Sequence, residues 1–392
     1  MTLATSTPTK GTLADELDAL PQEVAALLTR HRFDRARFFQ LAARLSDGSA
    51  AAQDNRVRGV VTPCESDDLA TLPAPGSAEE ARLRALGEAA LRAGQCALVV
   101  LAGGMATRMG GVVKALVEAL PGKTFLDLRL REAETLVERY GARAPLWLMS
   151  SHTTDGPIRE ALGARLDGFD VAVFPQLLSV RLTPEGRVFR DARGEPSVHA
   201  PGHGDLPEAL AQSGLLDRFI AGGGRLVMVT NLDNLGGGLD PLVVGFHLDG
   251  QKAVTCEVVD KVPGDRGGIP VRLDGQPVVL EEFRLPECFD PEGVRVFNVN
   301  TFVFDAVQLR DLEIEWTYFV VSKKVDDEPV VQFERLIGEV TFALPTRYLV
   351  VPRAGAGSRF LPVKDHDELA RRSEEIFTVA RARGMLPAEV NT

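Results

Sequence analysis

The 392-residue sequence predicts an α/β protein built on a mostly parallel, doubly wound sheet. Three observations carry that expectation. Short runs such as ALVVLAGG, APLWLMSS, DVAVFPQ and GRLVMVTNLDN are almost continuously apolar, as strands buried on both faces are. Between them lie LRLREAETLVERYG, DGPIREALGARL and LPEALAQSGLLDRFIAGG, whose apolar residues recur at helical spacing. Each run ends in small or polar residues, and sheets of this kind bind ligands beyond the carboxyl ends of their strands. Gly103, Gln176 and Asp233 are therefore expected on one rim.

Ahead of the sheet, residues up to about 95 read as helical. LADELDALPQEVAALLTRH and DRARFFQLAARL carry three- and four-residue apolar spacing, and SAEEARLRALGEAALRAG opens on Ser77 as N-cap with acids in its first turn. After about residue 252 the texture becomes β-type, in KAVTCEVVDKV, GIPVRLDGQPVVLEEF and VRVFNVNTFVFDA, and is expected to form a mixed extension walling a substrate. The last segment, TRYLVVPRAGAGSRFLPVKDHDEL, leads into a terminal helix; Lys364 is expected just after a proline-stiffened strand.

Composition excludes several classes. The formal net charge of −11 opposes attraction to nucleic acid or an anionic membrane, so any phosphate site must concentrate cations locally. Cys64, Cys96, Cys256 and Cys288 stand far apart without a C-x-x-C, which argues against a zinc site or disulfide framework and points to a reducing cytoplasm. The opening MTLATSTPTK has no cationic, then apolar, leader pattern, and no run approaches the ~18 apolar residues of a membrane span. The six histidines show no ligand pairing at helical spacing.

Four constellations carry chemistry. In LVVLAGGMATRMGGVVK a buried strand runs into glycines that let backbone N–H groups approach a phosphate or base, with Thr107, Arg108 and Lys114 following. It matches neither G-x-G-x-x-G nor the Walker loop, and a plain strand-to-helix turn is the alternative. TNLDNLGGG ends a strand on Asp233, a hard oxygen ligand for a divalent ion, or else an Asx-capped turn. HAPGHGDLPEAL brackets His203 with Gly202 and Gly204, and RFLPVK offers Lys364; a loop histidine and a surface lysine are the plainer readings. No G-x-S-x-G elbow occurs, and Glu281 and Glu282, adjacent on a strand, face opposite sides, so at most one faces a site.

Taken together and in order, these segments resemble the UTP–glucose-1-phosphate uridylyltransferase family, the UDP-glucose pyrophosphorylases. The likeness runs from about 96 to 370 through LAGGMATRMGGVVK, GKTFLDL, FPQ, PGHGD, SGLLDRF, TNLDNLGGGLDP, VLEEFRLPE, FNVNTFVF and RFLPVK. It implies a Rossmann-like, GT-A-like nucleotidyltransferase sheet. It divides the chain into an N-terminal helical region, 1–95; a catalytic domain with a sugar-pocket β extension, 96–345; and a C-terminal strand, phosphate-binding lysine loop and helix, 346–392, without a β-helix domain. It also implies roles. Leu101, Ala102, Gly103 and Gly104 meet the uridine and phosphates, and Gln176 and Gly202 read uracil. His203 lies beside the sugar phosphate and Asn231 contacts sugar or ribose. Glu281 and Asn300 contact sugar hydroxyls, Asp233 holds Mg²⁺, and Lys114, Lys364 and Arg108 are the catalytic cations. Ala106 stands where the family has glycine, Val113 where it has proline, and the turn is about one residue short.

The resemblance implies Mg²⁺-dependent formation of UDP-glucose and pyrophosphate from UTP and glucose 1-phosphate, by a cytoplasmic monomer or small homo-oligomer with no nucleic-acid or membrane partner. The alternatives are the same chemistry on N-acetylglucosamine or galactose 1-phosphate, a non-catalytic UDP-sugar-binding protein, and a glycosyltransferase. The last is expected to show a D-x-D pair, and NLDN offers a single acid.

Overall fold

The computed structural model of the chain describes residues 11–46 and 55–387. The opening MTLATSTPTK lies outside the described residues. The chain divides into two compact units: a smaller one of Met1–Asn55, Leu177–Gly202 and Tyr318–Arg335, and a larger one of Arg56–Gln176, His203–Thr317 and Leu336–Thr392.

The larger unit is organised by an eight-stranded sheet. Its strands are β1 (Leu69–Thr71), β2 (Cys96–Leu101), β3 (Leu146–Ser150), β4 (Val171–Pro175), β5 (Leu226–Asn231), β6 (Val254–Asp260), β7 (Val296–Asp305) and β8 (Thr346–Val350). Their order is β1-β8-β6-β7-β5-β2-β3-β4. Only β7 runs antiparallel to its neighbours, β5 and β6. The order turns back between β2 and β5, the point at which such sheets open a crevice for ligands. Asn231 pairs with Leu101, and Leu101 with Met149, so three carboxyl ends meet one rim in register.

The continuous apolar runs are explained by burial on two faces. Leu98 and Val100 of β2 join one core with Leu226 and Met228 of β5, while Ala97 and Val99 join the other with Val227 and Val229. Helix Phe125–Tyr140 starts at a capping box, Thr124 with Asp127, written in the sequence as TFLDL. Helix Ala78–Arg92 starts at Ser77, whose side chain accepts from the Glu80 N–H. The stretch LPEALAQSGLLDRFIA forms two helices, Leu206–Ser213 and Leu215–Ala221, broken at Gly214 with φ +74°.

Two expectations are corrected. The region before residue 95 is not helical throughout: Val61–Pro63 joins a separate sheet with Gly268–Leu273 and Gln276–Glu281, and Leu69–Thr71 is an edge strand of the main sheet. Three-residue strands are too short to show a period. Likewise β6 and β7 are not an added wall but interior strands of the main sheet.

In the smaller unit, helices Leu13–Asp18, Gln22–Arg30 and Arg35–Ser46 bury Leu17, Leu28, Phe38 and Ala42 against Leu178, Val180, Leu182, Val188 and Phe333. Val180 lies on the strand pair Ser179–Val180 with Val198–His199 and Phe333 on the hairpin Phe319–Val325 with Glu328–Glu334, while Leu182 bridges to both Val188 and Val331. No described helix is long and apolar enough to cross a membrane.

Helices Ala78–Arg92 and Pro241–Gly250 approach through glycines. A Cβ on Gly87 would lie 2.6 Å from the Pro241 carbonyl carbon, and one on Gly245 2.6 Å from that of Leu83. Backbone cannot yield as a side chain does. Gly87→Ala is expected to cost about 3 kcal/mol in urea denaturation, at the upper end of overpacking effects. Gly156→Ala, where a Cβ meets nothing within 4 Å, is the control and is expected to leave stability unchanged or slightly raised.

Candidate active site

The turn after β2 folds back on itself. Met105–Ala106 pairs with Val112–Val113, Gly110 and Gly111 take φ of +84° and +75°, and the Lys114 N–H donates to the Gly104 carbonyl at 3.3 Å. The hairpin thus returns Lys114 to the glycines it left. Ala106 has φ −78°, so its position does not require glycine. At Gly103 a Cβ would sit 2.5 Å from Gln176 Oε1, so a larger residue there would displace the Gln176 amide. Ala102 is buried in the core, which leaves its backbone as the part that faces the rim. Leu101 is half-buried at the strand end, Gly104 is open, and Arg108 is exposed on the short turn Thr107–Met109. The side chain of Thr107 lies outside the described residues.

The loop after β5 is held from several directions. Asp233 is buried, and its Oδ2 accepts from Lys114 Nζ at 2.8 Å and from the Val363 N–H at 3.0 Å. Asn234 Oδ1 accepts from the Leu361 N–H at 2.7 Å, and its Nδ2 donates to the Arg359 carbonyl at 3.0 Å. Beneath the loop, Arg129 is fully buried; it donates to the carbonyls of Asn231, Asn234 and Gly237 and to Glu132. Arg359 bonds both oxygens of Glu257 and the Gly238 carbonyl. A loop that carries a carboxylate to the rim has its own carbonyls satisfied from below, as burial demands.

Lys364 is the residue after Val363, so it stands next to Asp233 along the chain that Asp233 holds. The expectation of a proline-stiffened strand is corrected: residues 351–365 form no strand. Lys364 is fixed instead by its neighbours' hydrogen bonds and by its own N–H, which donates to Glu368 Oε2 at 2.8 Å in the first turn of helix His366–Ala382. Its side chain is exposed.

Asn231 and Asn300 are joined, with Asn300 Nδ2 donating to Asn231 Oδ1 at 2.8 Å. Asn300 has φ +56° inside β7, where pairing with β6 is irregular, and Asn298 Oδ1 accepts its N–H at 2.9 Å. Asparagine tolerates this backbone better than most residues. Glu281 ends the strand Gln276–Glu281 opposite Gly268, where a Cβ would crowd Glu281 Oε1 at 2.9 Å. Burial, then the charge of Glu282, pushes its carboxyl up to about 7. Glu282 points elsewhere, to Lys261 and Arg266. His203 lies on the turn His203–Asp205, and its Nδ1 accepts from the Ile337 N–H at 3.1 Å, which in the neutral ring places the proton on Nε2. Gly202 belongs to the smaller unit; it has φ +101°, and a Cβ there would meet the Arg335 carbonyl oxygen at 2.6 Å.

The structure therefore gathers Gly104, Lys114, Asp233 and the Val363–Lys364 segment by hydrogen bonds, and Gly103 with Gln176 and Asn231 with Asn300 as pairs beside them. Glu281 stands on the separate three-stranded sheet. Arg129, Glu257 and Arg359 were missed from sequence, because a charged residue reads as exposed until its buried partner is known. Among the described residues no group of three His, Cys, Asp or Glu side chains is placed to hold a metal. A cation held here would have to rest on Asp233 together with oxygens that a ligand brings.

The family profile described as UTP–glucose-1-phosphate uridylyltransferase matches residues 38–389. The chain belongs to that family. Among curated members it is 30% identical over 297 residues to the UTP–glucose-1-phosphate uridylyltransferase of Encephalitozoon cuniculi, covering 72% of this chain but 58% of that protein. It is 29% identical to the enzyme of that name from Astragalus penduliflorus, over 94% of this chain and 79% of the relative. It thus spans less than two thirds of the first and about four fifths of the second. Among solved structures, the UDP-glucose phosphorylase of Trypanosoma brucei superposes with a TM-score of 0.73 at 23% identity, over 92% of this chain and 78% of the other. The uridine diphosphate N-acetylglucosamine pyrophosphorylase of the same organism, in complex with inhibitor, gives 0.72 at 21%, over 92% and 81%. Both share the fold of this family member, and they carry different sugars in their names.

The raised carboxyl of Glu281 has a readable consequence for stability. In the unfolded chain it titrates near 4.5, so between about 4.5 and 7 the folded form binds more protons, and stability falls as pH rises through that window. Glu281→Gln is expected to be more stable than the parent at pH 8, by about 1 kcal/mol or more, with the difference gone near pH 4.5 in parallel thermal melts.

Proposed function

We propose that this site transfers a uridylyl group from UTP to glucose 1-phosphate, forming UDP-glucose and pyrophosphate, by in-line attack of the sugar phosphate on the α-phosphorus. The observation that supports it most is the clustering of Lys114, Asp233 and the Lys364 segment at the carboxyl ends of β2 and β5, beside a turn whose glycines admit phosphate to the backbone. The sugar phosphate is already an oxygen nucleophile and needs no strong base. The obstacle is its charge. Two unit charges ~4 Å apart repel by about 4 kcal/mol at an effective dielectric of 20. Cations on both sides of the reacting phosphates remove that barrier and stabilise the charge that develops on the leaving group.

The residues divide this work. Gly103 and Gly104 bring backbone N–H groups against phosphate oxygens, and Gln176 offers its amide to the uracil edge. Asn231, Asn300 and Glu281 accept and donate to sugar and ribose hydroxyls. His203, with Nδ1 engaged, presents its Nε2–H toward an anion. Lys114, Lys364 and Arg108 neutralise and align the phosphates, so that the nucleophile meets phosphorus in line. A lone carboxylate fits Mg²⁺ shared with substrate phosphates, because this ion is commonly held by one or two carboxylates plus phosphate oxygens rather than a protein cage. Asp233 is the residue that would hold it, and the bound ion would neutralise the phosphate oxygens.

The four cysteines are free, which suits an enzyme of a reducing cytoplasm; its working form is taken to be a monomer or small homo-oligomer. The deciding assay measures pyrophosphate release from each nucleoside triphosphate with glucose, galactose and N-acetylglucosamine 1-phosphates, with and without Mg²⁺. Release with UTP and glucose 1-phosphate alone is expected, abolished by chelation. Tight UDP-glucose binding without release would instead make this a binding protein. Lys364→Ala is expected to lower kcat by about a hundredfold or more, the scale of losing one electrostatic donor. Near-parental turnover of that variant would remove Lys364 from the mechanism.

A further inference from the structure

A second cavity opens at the outer edge of the same rim, three strands from β5. It measures about 590 Å³ and lies among the ends of β1 and β8, the starts of helices Ala78–Arg92 and Pro241–Gly250, and the end of helix His366–Ala382. Its walls are apolar, with Leu72, Pro73, Leu242 and Val351 among them, and Arg359 and Arg383 also line it.

Those arginines are not fully used by the protein. Arg359 is 2% exposed. Its Nε and Nη2 serve Glu257 and Gly238, while Nη1 has no hydrogen-bond partner among the described residues. Arg383 Nε is buried and equally without one. Buried guanidinium N–H groups are normally satisfied. Arg383 Nη1 lies 3.9 Å from Glu132 Oε1, and Arg359 is held by Glu257. Asp240, an acid that also lines the cavity, is occupied in capping its helix through the Leu242 N–H; burial pushes its carboxyl up, but Arg359 and Arg383 hold it below the usual range. Burial and the charge of Arg359 push Arg383 down to about 10, the mark of cations facing one another. Arg84 is already paired with Glu80.

We propose that this cavity binds a small metabolite with an apolar body and an oxyanion head, carboxylate or phosphate, the head lying against the guanidinium groups of Arg359 and Arg383 that line it. The volume lies within the range of small-molecule sites and exceeds what a bare ion fills, and the apolar walls suit the rest of such a ligand. Occupancy reaches the active site by a short route. The Arg359 carbonyl accepts from Asn234, Asn234 accepts from the Leu361 N–H, and the Val363 N–H donates to Asp233. An anion on Arg359 therefore acts on the segment that carries Lys364, which makes the cavity an effector site. The binding itself stands apart from the uridylyl-transfer reading; only the effect on turnover rests on it.

The test is calorimetric titration of the full chain with phenyl phosphate, phenylacetate and inorganic phosphate, each with and without saturating UDP-glucose. One-to-one binding of at least one aromatic anion is expected, tighter than that of inorganic phosphate and retained with UDP-glucose present. The head that binds tells phosphate from carboxylate. Ala356→Trp, placed at an exposed position of the cavity mouth, is expected to abolish binding while keeping basal turnover and melting temperature. Arg383→Gln is expected to weaken binding at least tenfold. No saturable binding, loss of binding when UDP-glucose is added, or full binding to Ala356→Trp would each overturn the site. Binding that leaves turnover and KM unchanged would overturn its role as an effector site. Failure of UDP-glucose itself to bind would count against the uridylyl-transfer reading and leave the cavity result standing.

Discussion

Asp233 Oδ2 sits between an ammonium and an amide. Lys114 arrives from the hairpin after β2, Val363 from the segment before the terminal helix, and both donate to the same oxygen. Three stretches far apart in sequence are thereby tied at one atom, at the place where the strand order turns back. The proposed reaction sets a sugar phosphate against a triphosphate and requires positive charge from several directions. No single loop supplies that, so the fold must bring the cations together around one acid, and the rest of the site is arranged about this contact.

The arrangement is supported from beneath by ions of its own. Arg129 with Glu132, and Arg359 with Glu257, are buried pairs whose spare donors go to carbonyls of the Asp233 loop. Burying such pairs contributes little net stability, since desolvation offsets most of their attraction, yet removing one member is strongly destabilising. Their value here is geometric. Each guanidinium has a rigid fork that fixes several carbonyls at once, so the loop presents Asp233 at one height above the sheet. The same economy explains the glycines at 237 and 238: a Cβ at Gly237 would meet Asn234 Nδ2 at 2.8 Å, and one at Gly238 would meet Glu132 Cδ at 2.8 Å.

Much of this was legible in the chain. The strands β2 to β5 were readable because burial on both faces makes them continuously apolar, and the first turn at Ser77 because capping chemistry is local. The direction of β7 was not, since an interior antiparallel strand such as Val296–Asp305 is buried like its parallel neighbours. Nor was Leu69–Thr71, whose pairing depends on β8 nearly three hundred residues away. In the site, the glycine turn and Asp233 announced themselves through residue types that suit phosphates and metals. Arg129 and Arg359 did not, for their burial is created by partners elsewhere in the chain. Lys364 was visible as a residue, but the reason it stays in place, the Val363 and Glu368 hydrogen bonds, belongs to tertiary structure.

The most direct measurement of the central claim is a double-mutant cycle on turnover with Lys114→Ala, Asp233→Ala and the pair. If the two act as one electrostatic unit, the double variant should be no more than a few-fold slower than the slower single variant, because the first loss already dissolves the contact. Rate losses that simply multiply would mean that Lys114 and Asp233 act independently, and would contradict the account.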